Sequence, residues 1–483
     1  MPRVETDVVP SVGGVVPRAA AGGGRRTVGV GRWGLGGVCL GFVVVAGVLV
    51  PIGLPLGWDE IVYASRFGPY GPAVPFSAPR TRGVPLLLVP VASWSDSVVL
   101  LRLWMGTLAG GALYLGFRPW LGVLRRPAGV WVAAGLFGSL WFALFYANSA
   151  MPNHYTAMGA AAATGCSLRR DPGRGAYAGI VAGLAVVTLM RPNDGVAVAL
   201  PLLVAPLVVP AWRGRSRPAA VVAGVGVGAL PWVVEAWLRF GGVVRRLSEA
   251  SDIQGGMRPV PSLKAHLTAL DGPLLCRPCT GDTVASGVVE WWLLLPLLVV
   301  LGLWATRRAG CPRAPMWLAV AVAASASVPY LFLVPYAAPR FLLPGYALLV
   351  LPAAVGLLAV ADRARGSRPV AVGLAVVLLG HAAVQITQVR THVGVQERAR
   401  GDWLRISAVL REEGVRPPCL IKGNSSAIPV AYTAGCASAG MDDPVPATAV
   451  ILRRADPPRW AREWPGRPVP GTYNPGWSVA VRP

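Results

Sequence analysis

Long apolar runs separated by short polar connectors dominate the sequence. A helix needs about 20 apolar residues to cross a bilayer, and eleven runs approach or reach that length, although 154–168 and 176–190 are short. This pattern predicts a polytopic α-helical membrane protein with about eleven transmembrane helices. The candidate spans are residues 35–57, 97–117, 128–147, 154–168, 176–190, 195–211, 219–238, 291–306, 316–336, 341–360 and 370–389.

Composition favours a membrane protein over a soluble basic one. The 483 residues are 54% hydrophobic and only 14% charged, yet the formal net charge is +23. This apolar content excludes intrinsic disorder for the bulk of the chain. Nucleic-acid binding is disfavoured, because the basic residues are scattered among many connectors and form no single patch interleaved with aromatic residues.

The basic residues concentrate in every second connector. Fifteen arginines lie in these connectors, whereas the other short connectors contain only Arg191 and Arg340. Because positively charged loops stay in the cytoplasm, this bias places the N-terminus inside and, with eleven spans, the C-terminal segment outside. The fifteen are Arg118, Arg125, Arg126, Arg169, Arg170, Arg174, Arg213, Arg215, Arg217, Arg307, Arg308, Arg313, Arg363, Arg365 and Arg368.

The predicted topology divides the chain into three parts. Residues 1–34 are expected to be a disordered basic cytoplasmic tail, and 35–389 a transmembrane domain with outer loops at 58–96 and 239–290. Residues 390–483 differ in composition, with a helical stretch at 403–410 and strand-like runs at 418–422 and 449–452. We therefore expect a small extracytoplasmic α/β domain at the C-terminal end.

Four of the seven cysteines fall in segments predicted to face outside, where disulfides persist. Cys419 and Cys436 form the expected bridge within the C-terminal domain. Cys276 and Cys279 in the second outer loop favour a structural disulfide or paired thiols, with a redox motif or half of a metal site as alternatives.

Two adjacent carboxylates, Asp59 and Glu60, stand at the outer end of the first predicted span. Such a pair at a membrane surface is costly unless it is solvated or paired, which makes it a candidate functional site. The alternative is a hydrated helix N-terminus, where acidic residues interact favourably with the helix dipole. The following loop, with its aromatic, proline and arginine residues, suits a segment lying along the membrane interface.

Three short motifs follow one another along the chain: the carboxylate pair with a loop ending in Arg82-Gly83-Val84-Pro85-Leu86, the stretch Met190-Arg191-Pro192-Asn193-Asp194, and Pro339-Arg340-Phe341-Leu342-Leu343-Pro344-Gly345-Tyr346. In this order they resemble those of the GT-C superfamily of membrane glycosyltransferases. Within it, the sequence is most similar to the mannosyltransferases of lipid-linked-oligosaccharide and GPI-anchor assembly, over about residues 35–360. One departure is Tyr336-Ala337-Ala338-Pro339, which replaces the His-Lys-Glu of the GPI-type enzymes and leaves sugar and acceptor open.

The resemblance implies transfer of a mannose-like sugar or a pentose from a polyprenyl-phosphate donor to an extracytoplasmic glycan, lipid or protein, with inversion. Asp59 matches the family's acidic position and is the expected general base. Glu60 is the second choice, or it orients Asp59 or helps hold a metal. Arg340, followed by Arg191 and Arg82, is expected to bind the donor phosphate, and a divalent metal ion is left open as a cofactor.

Further polar residues are weaker candidates. His154 would assist protonation or bind a metal, although a histidine at a span end is more often interfacial with a satisfied hydrogen bond. Asp194 either joins the site or pairs with Arg191, and Asp96 and Arg102 are a candidate structural pair.

The alternative function is a transporter or flippase for a lipid-linked glycan. The spans carry almost no central charges and show no repeat, so interfacial chemistry is favoured over passage. The expected location is the plasma membrane of a bacterium, with cell-envelope glycans or lipids as partners and no nucleic acid.

Overall fold

Helices form most of the structure, and a small sheet follows them at the C-terminal end. The computed structural model describes residues 22–169, 172–277, 279, 284–285, 287–308 and 313–483, with side chains from residue 29 onward. The helices of the bundle and its connectors are α1 (Gly22–Leu49), α2 (Trp58–Ala64), α3 (Gly83–Ala92), α4 (Val98–Phe117), α5 (Pro127–Gly138), α6 (Trp141–Tyr146), α7 (Asn153–Ser167), α8 (Arg174–Met190), α9 (Pro192–Val208), α10 (Ser216–Phe240), α11 (Val243–Ile253), α12 (Leu263–Leu270), α13 (Glu290–Arg308), α14 (Ala314–Phe332), α15 (Leu343–Ala364) and α16 (Arg368–Glu412).

The long helices expose apolar side chains around the bundle. Leu230 and Leu238 of α10, for example, are 61% and 78% exposed, as expected for residues that face lipid. Within the described residues, seven helices are long and apolar enough to cross a membrane: α1, α4, α10, α13, α14, α15 and α16. Helices α5, α8 and α9 are apolar but shorter. The chain is a multi-pass membrane protein.

Each of the eleven predicted spans overlaps a helix of the bundle, with three differences in extent. The third span is broken between α5 and α6, where the Trp141 backbone N–H donates to the side chain of Gln385. Helix α1 begins at Gly22, inside the predicted tail, whose residues 1–21 lie outside the described ones. Helix α16 continues past residue 389 to Glu412, so it contains the helical stretch predicted at 403–410.

Small residues allow close contact between helices. A Cβ added to Gly159 of α7 would lie 2.7 Å from the carbonyl oxygen of Gly183 in α8, and the converse distance is also 2.7 Å. Gly302 of α13 is similarly close to the backbone of Pro352 in α15. Such contacts are typical of helices that pack within a bilayer.

The elements of the C-terminal domain are β1 (Leu420–Gly423), α17 (Ala427–Ala434), β2 (Ala437–Ser438), β3 (Ala449–Arg453), β4 (Gly466–Pro468) and β5 (Trp477–Val481). The strands form a mixed sheet in the order β2-β1-β3-β5-β4. Strand β1 is parallel to β2 and β3, and β5 is antiparallel to β3 and β4. A disulfide between Cys419 and Cys436 closes the segment that contains α17, and α17 packs against both α16 and α2.

Candidate active site

The short helix α2 directs its two carboxylates to different places. Gly57 precedes it in an extended conformation, and residues 59 and 60 are then separated by about 100° around the helix axis. The side chain of Asp59 is 35% exposed, whereas that of Glu60 is only 4% exposed. Asp59 and Glu60 are adjacent in the sequence, but their side chains therefore lie in two different environments.

Glu60 is enclosed in an ion-pair and hydrogen-bond network. Its carboxylate accepts from both terminal nitrogens of Arg102, and Nη1 of Arg400 lies 3.7 Å from Oε2. The backbone N–H groups of Gly57 and Ala150 also donate to it, at 2.7 and 2.9 Å. The network joins α2, α4 and α16, so Glu60 fixes the position of α2 and leaves no oxygen facing a substrate.

The electrostatic balance at Glu60 favours the charged form. Burial alone would raise its pKa, but the positive charge and hydrogen bonds of Arg102, with Arg400 and the Gly57 N–H, lower it below the usual value. A carboxylate that stays ionised while buried is stabilised by its partners, and removing one partner is strongly destabilising. These features make Glu60 a structural anchor.

Asp59 lies between two arginines from distant parts of the sequence. Arg80 Nη2 donates to Oδ1 at 2.9 Å, and Arg340 Nη2 lies 3.7 Å from Oδ2. Arg80 also lies over the ring of Tyr63, with 5.4 Å from its guanidinium carbon to the ring centroid. The first outer loop and the segment before α15 thus meet at Asp59.

Arg340 is held in place while one of its nitrogens faces Asp59. Its Nη1 donates to the Tyr146 hydroxyl at 2.9 Å and to the Leu274 carbonyl oxygen at 2.8 Å. Its guanidinium carbon lies 5.2 Å from the ring centroid of Tyr146 and 5.4 Å from that of Phe341. A guanidinium fixed on one side in this way is prepared to bind an anion on the other.

Arg191 flanks the same aromatic ring as Arg340. Its guanidinium carbon lies 5.1 Å from the centroid of Phe341 and 5.3 Å from that of Tyr330. Its Nη1 is enclosed without a hydrogen-bond partner. Asp194 is buried nearby and accepts from the Tyr330 hydroxyl through Oδ1, while its Oδ2 has no partner. Two arginines with unused hydrogen-bonding capacity therefore border Phe341.

Two candidates from the sequence lie elsewhere. Arg82 does not contact Asp59 but forms an ion pair with Glu235 of α10. His154 lies in the core of the bundle, where Nε2 is 2.9 Å from the Ala109 carbonyl oxygen and its ring stacks on Phe42. His154 is therefore buried rather than interfacial, its Nδ1 is enclosed without a hydrogen-bond partner, and its contacts are with the bundle core rather than with Asp59.

Sequence reasoning missed several partners. Arg80 contacts Asp59 directly. Its position two residues before Arg82, on the same loop, is the feature of the sequence that could have identified it as a candidate. The proposed pair of Asp96 and Arg102 is wrong, because Arg102 lies on the buried face of α4 and binds Glu60, while Asp96 is exposed.

The carboxylates do not fit a divalent cation. Glu60 is fully occupied by donors, and Asp59 lies beside two guanidinium groups that would repel a cation. In the described part of the chain, no three His, Cys, Asp or Glu side chains are grouped as metal ligands. Cys276 and Cys279 are joined to each other by a disulfide, which removes them as half of a metal site.

Solved structures with the same architecture identify the fold. ArnT from Cupriavidus metallidurans bound to undecaprenyl phosphate is similar over 96% of this chain and 98% of its own, at 15% identity and a TM-score of 0.61. The chain has a GT-C fold. The apo state of the same ArnT is similar over 92% of this chain and 97% of its own, at 16% identity and a TM-score of 0.59.

A second GT-C structure is more distant. It is the archaeal oligosaccharyltransferase AglB from Archaeoglobus fulgidus in complex with an inhibitory peptide and a dolichol-phosphate, at 10% identity and a TM-score of 0.50, over 87% of this chain and 69% of AglB. No family model matches the sequence. The narrower resemblance to mannosyltransferases stays a prediction.

Proposed function

We propose that this protein is a membrane glycosyltransferase that moves a sugar from a polyprenyl-phosphate donor to an acceptor at the outer face of the membrane. The observation that carries the proposal is the arrangement at Asp59. A partly exposed carboxylate faces Arg340 on a GT-C fold, and Arg191 lies over the same Phe341 ring as Arg340. A carboxylate suited to act as a base and guanidinium groups suited to bind a leaving phosphate thus lie close together, which supports the proposal.

Asp59 is the proposed general base. The acceptor hydroxyl oxygen attacks the anomeric carbon while Asp59 takes the hydroxyl proton, and the bond from that carbon to the donor phosphate oxygen breaks with its electron pair leaving on phosphate. A direct displacement of this kind inverts the anomeric configuration. Glu60 does not compete for this role, because both of its oxygens are occupied by fixed donors.

Arg340 and Arg191 are the proposed partners of the donor phosphate. Charge accumulates on the phosphate as it leaves, and fixed guanidinium groups stabilise that charge best where water is excluded. The 3.7 Å contact between Arg340 and Asp59 is too long for a strong hydrogen bond, so a phosphate would compete for Arg340 and release Oδ2, while Arg80 continues to hold Oδ1. Donor binding then leaves Oδ2 available to take the acceptor proton.

The carrier, the sugar and the orientation belong to the proposal too. One similar structure holds undecaprenyl phosphate and another a dolichol-phosphate, which supports a polyprenyl-phosphate carrier here. We infer a mannose-like sugar or a pentose, an extracytoplasmic glycan, lipid or protein acceptor, and a bacterial plasma membrane with the N-terminus in the cytoplasm. The arginine-rich connectors support this orientation.

The test is a transfer assay on the purified protein in nanodiscs with a panel of polyprenyl-phosphate sugars. Wild type should release polyprenyl phosphate from one donor in the presence of acceptor, and Asp59→Asn should not. If neither protein consumes any donor while sealed vesicles containing wild type move a lipid-linked glycan across the bilayer, the transporter function replaces this one.

A further inference from the structure

A cluster of arginines lies beyond Arg80, on the side facing α10. Arg82 donates through Nε to Glu235 at 3.1 Å, and Arg239 Nη1 lies 3.8 Å from the same carboxylate oxygen. Arg66 and Arg82 both lie over the ring of Phe76, at 5.6 and 4.2 Å from its centroid. Arg82 and Arg239 thus converge on one carboxylate, and Arg66 shares the Phe76 ring with Arg82.

That carboxylate is already neutralised by a fourth arginine. Arg246 is completely buried, lies 3.1 Å from Glu235 Oε2, and donates to the carbonyl oxygens of Ala78, Arg80 and Trp232. These bonds commit Arg246 to holding the first outer loop against α10. With Arg82 also paired to Glu235, the cluster has more positive than negative charge.

Arg66 has hydrogen-bond donors without an acceptor. Its Nε and Nη2 are enclosed and have no hydrogen-bond partner, which is costly for a charged donor. Burial, followed by the positive charges of Arg82, Arg239 and Arg80, lowers the pKa of Arg66. Guanidinium groups this close to one another are stabilised by an anion placed between them.

The cluster opens where lipid meets water. Arg239 lies in the last turn of α10, with 59% of its side chain exposed, and Arg82 immediately precedes α3 with 27% exposed. The neighbouring Trp237 and Leu238 are 68% and 78% exposed, as expected at the edge of the hydrocarbon layer. An anion carried at the membrane surface can reach the cluster from this side.

We propose that Arg66, Arg82 and Arg239 form a second anion-binding subsite, separate from Arg340 and Arg191, for a phosphate or diphosphate group at the membrane surface. Such a group belongs either to a lipid headgroup or to a soluble phosphate, and both offer oxygens to guanidinium forks. Because Arg80 links the cluster to Asp59, the subsite holds an anionic acceptor beside the base. The role in holding an acceptor rests on the proposed function, whereas the binding of an anion to these three arginines does not.

The first test measures inorganic pyrophosphate binding by calorimetry on Arg340→Gln protein, in which the proposed donor-phosphate contact is removed. Adding Arg66→Gln should weaken binding by roughly 10- to 100-fold, whereas adding Arg462→Gln, an exposed arginine of the C-terminal domain, should not. The enclosed nitrogens of Arg66 have no partner to lose, so the variant is expected to fold.

The second test separates the two sources of phosphate. The unfolding temperature of the protein is compared in nanodiscs of phosphatidylcholine with and without phosphatidylglycerol, for Arg66→Gln and for Arg462→Gln. Stabilisation by phosphatidylglycerol that depends on Arg66 indicates a lipid headgroup, and pyrophosphate binding alone indicates a soluble anion. If Arg66→Gln changes neither measurement, the subsite does not exist. Both readouts are independent of turnover, so a failed transfer assay leaves their outcome unaffected.

Discussion

Asp59 and Arg340 face each other across the candidate site, with Oδ2 of the carboxylate 3.7 Å from Nη2 of the guanidinium. Arg340 is fixed from behind by Tyr146 and Leu274, so its remaining freedom lies on the side of Asp59. The pair therefore places the proposed proton acceptor and the proposed phosphate ligand next to each other, and the two roles are testable separately.

Asp59→Asn is expected to lower the transfer rate by roughly 10²- to 10⁴-fold, because the amide cannot take the acceptor proton. Stability should change little, since the side chain is 35% exposed. Initial rates and unfolding temperatures of the purified protein measure both effects. Asp96→Asn, an exposed carboxylate in the same outer loop, is the control and should keep the wild-type rate. A rate for Asp59→Asn within twofold of wild type would rule out Asp59 as the base.

Arg340→Gln should lower donor turnover, and Arg340→Lys should restore only part of it. A lysine keeps the positive charge but lacks the planar fork that binds two phosphate oxygens while contacting Tyr146 and Leu274. Losing a charge-assisted hydrogen bond predicts roughly a 10- to 100-fold loss in kcat/KM. Steady-state kinetics with varied donor concentration measure it. Equal kinetics for wild type and Arg340→Gln would remove Arg340 from the phosphate site.

Glu60→Gln is expected to act through stability. Leaving Arg102 and Arg400 without their buried carboxylate should destabilise the protein by about 3–5 kcal/mol. The loss should appear as a lower unfolding temperature, together with reduced activity because α2 carries Asp59. A Glu60→Gln protein that unfolds like wild type yet transfers no sugar would instead assign Glu60 to the chemistry.

These contrasts show what the sequence could predict and what it could not. Span positions follow from apolar length, which is local, so each predicted span overlaps a helix. Asp59 and Glu60 are indistinguishable as neighbours in the sequence, and only the packing of α4 and α16 around α2 separates them. Arg82 pairs with Glu235 because the loop turns that side chain toward α10, a direction that no motif encodes.

Acid should weaken the Glu60 network only below the ordinary carboxyl range. Its pKa is lowered in the folded protein, so its contribution to stability is complete above about pH 4.5, the unperturbed value, and is lost as the pH falls toward the folded pKa. The difference in unfolding temperature between wild type and Glu60→Gln should be constant from pH 7 to 5 and shrink below pH 4.5. A difference that disappears near pH 6 would contradict the lowered pKa.

The Cys419–Cys436 disulfide is expected to support the site from the C-terminal domain. It closes a segment with a sequence separation of 17 residues, and a loop of this size contributes roughly 3 kcal/mol. That segment contains α17, whose Ile428 and Tyr432 pack against the cluster that includes Ile61 and Val62 of α2. Loosening α17 should therefore lower both the unfolding temperature of the C-terminal domain and the transfer rate.

The variant that tests this is Cys419→Ser/Cys436→Ser, measured by limited proteolysis of the C-terminal domain and by initial transfer rates. Faster cleavage near α17 with slower transfer is the expected result, because Asp59 lies on the helix that α17 contacts. Faster cleavage with an unchanged rate would mean that α2 is positioned by the Glu60 network alone. In that case, adding Cys419→Ser/Cys436→Ser to Glu60→Gln would not lower the transfer rate any further, because the disulfide would make no contribution to the position of α2.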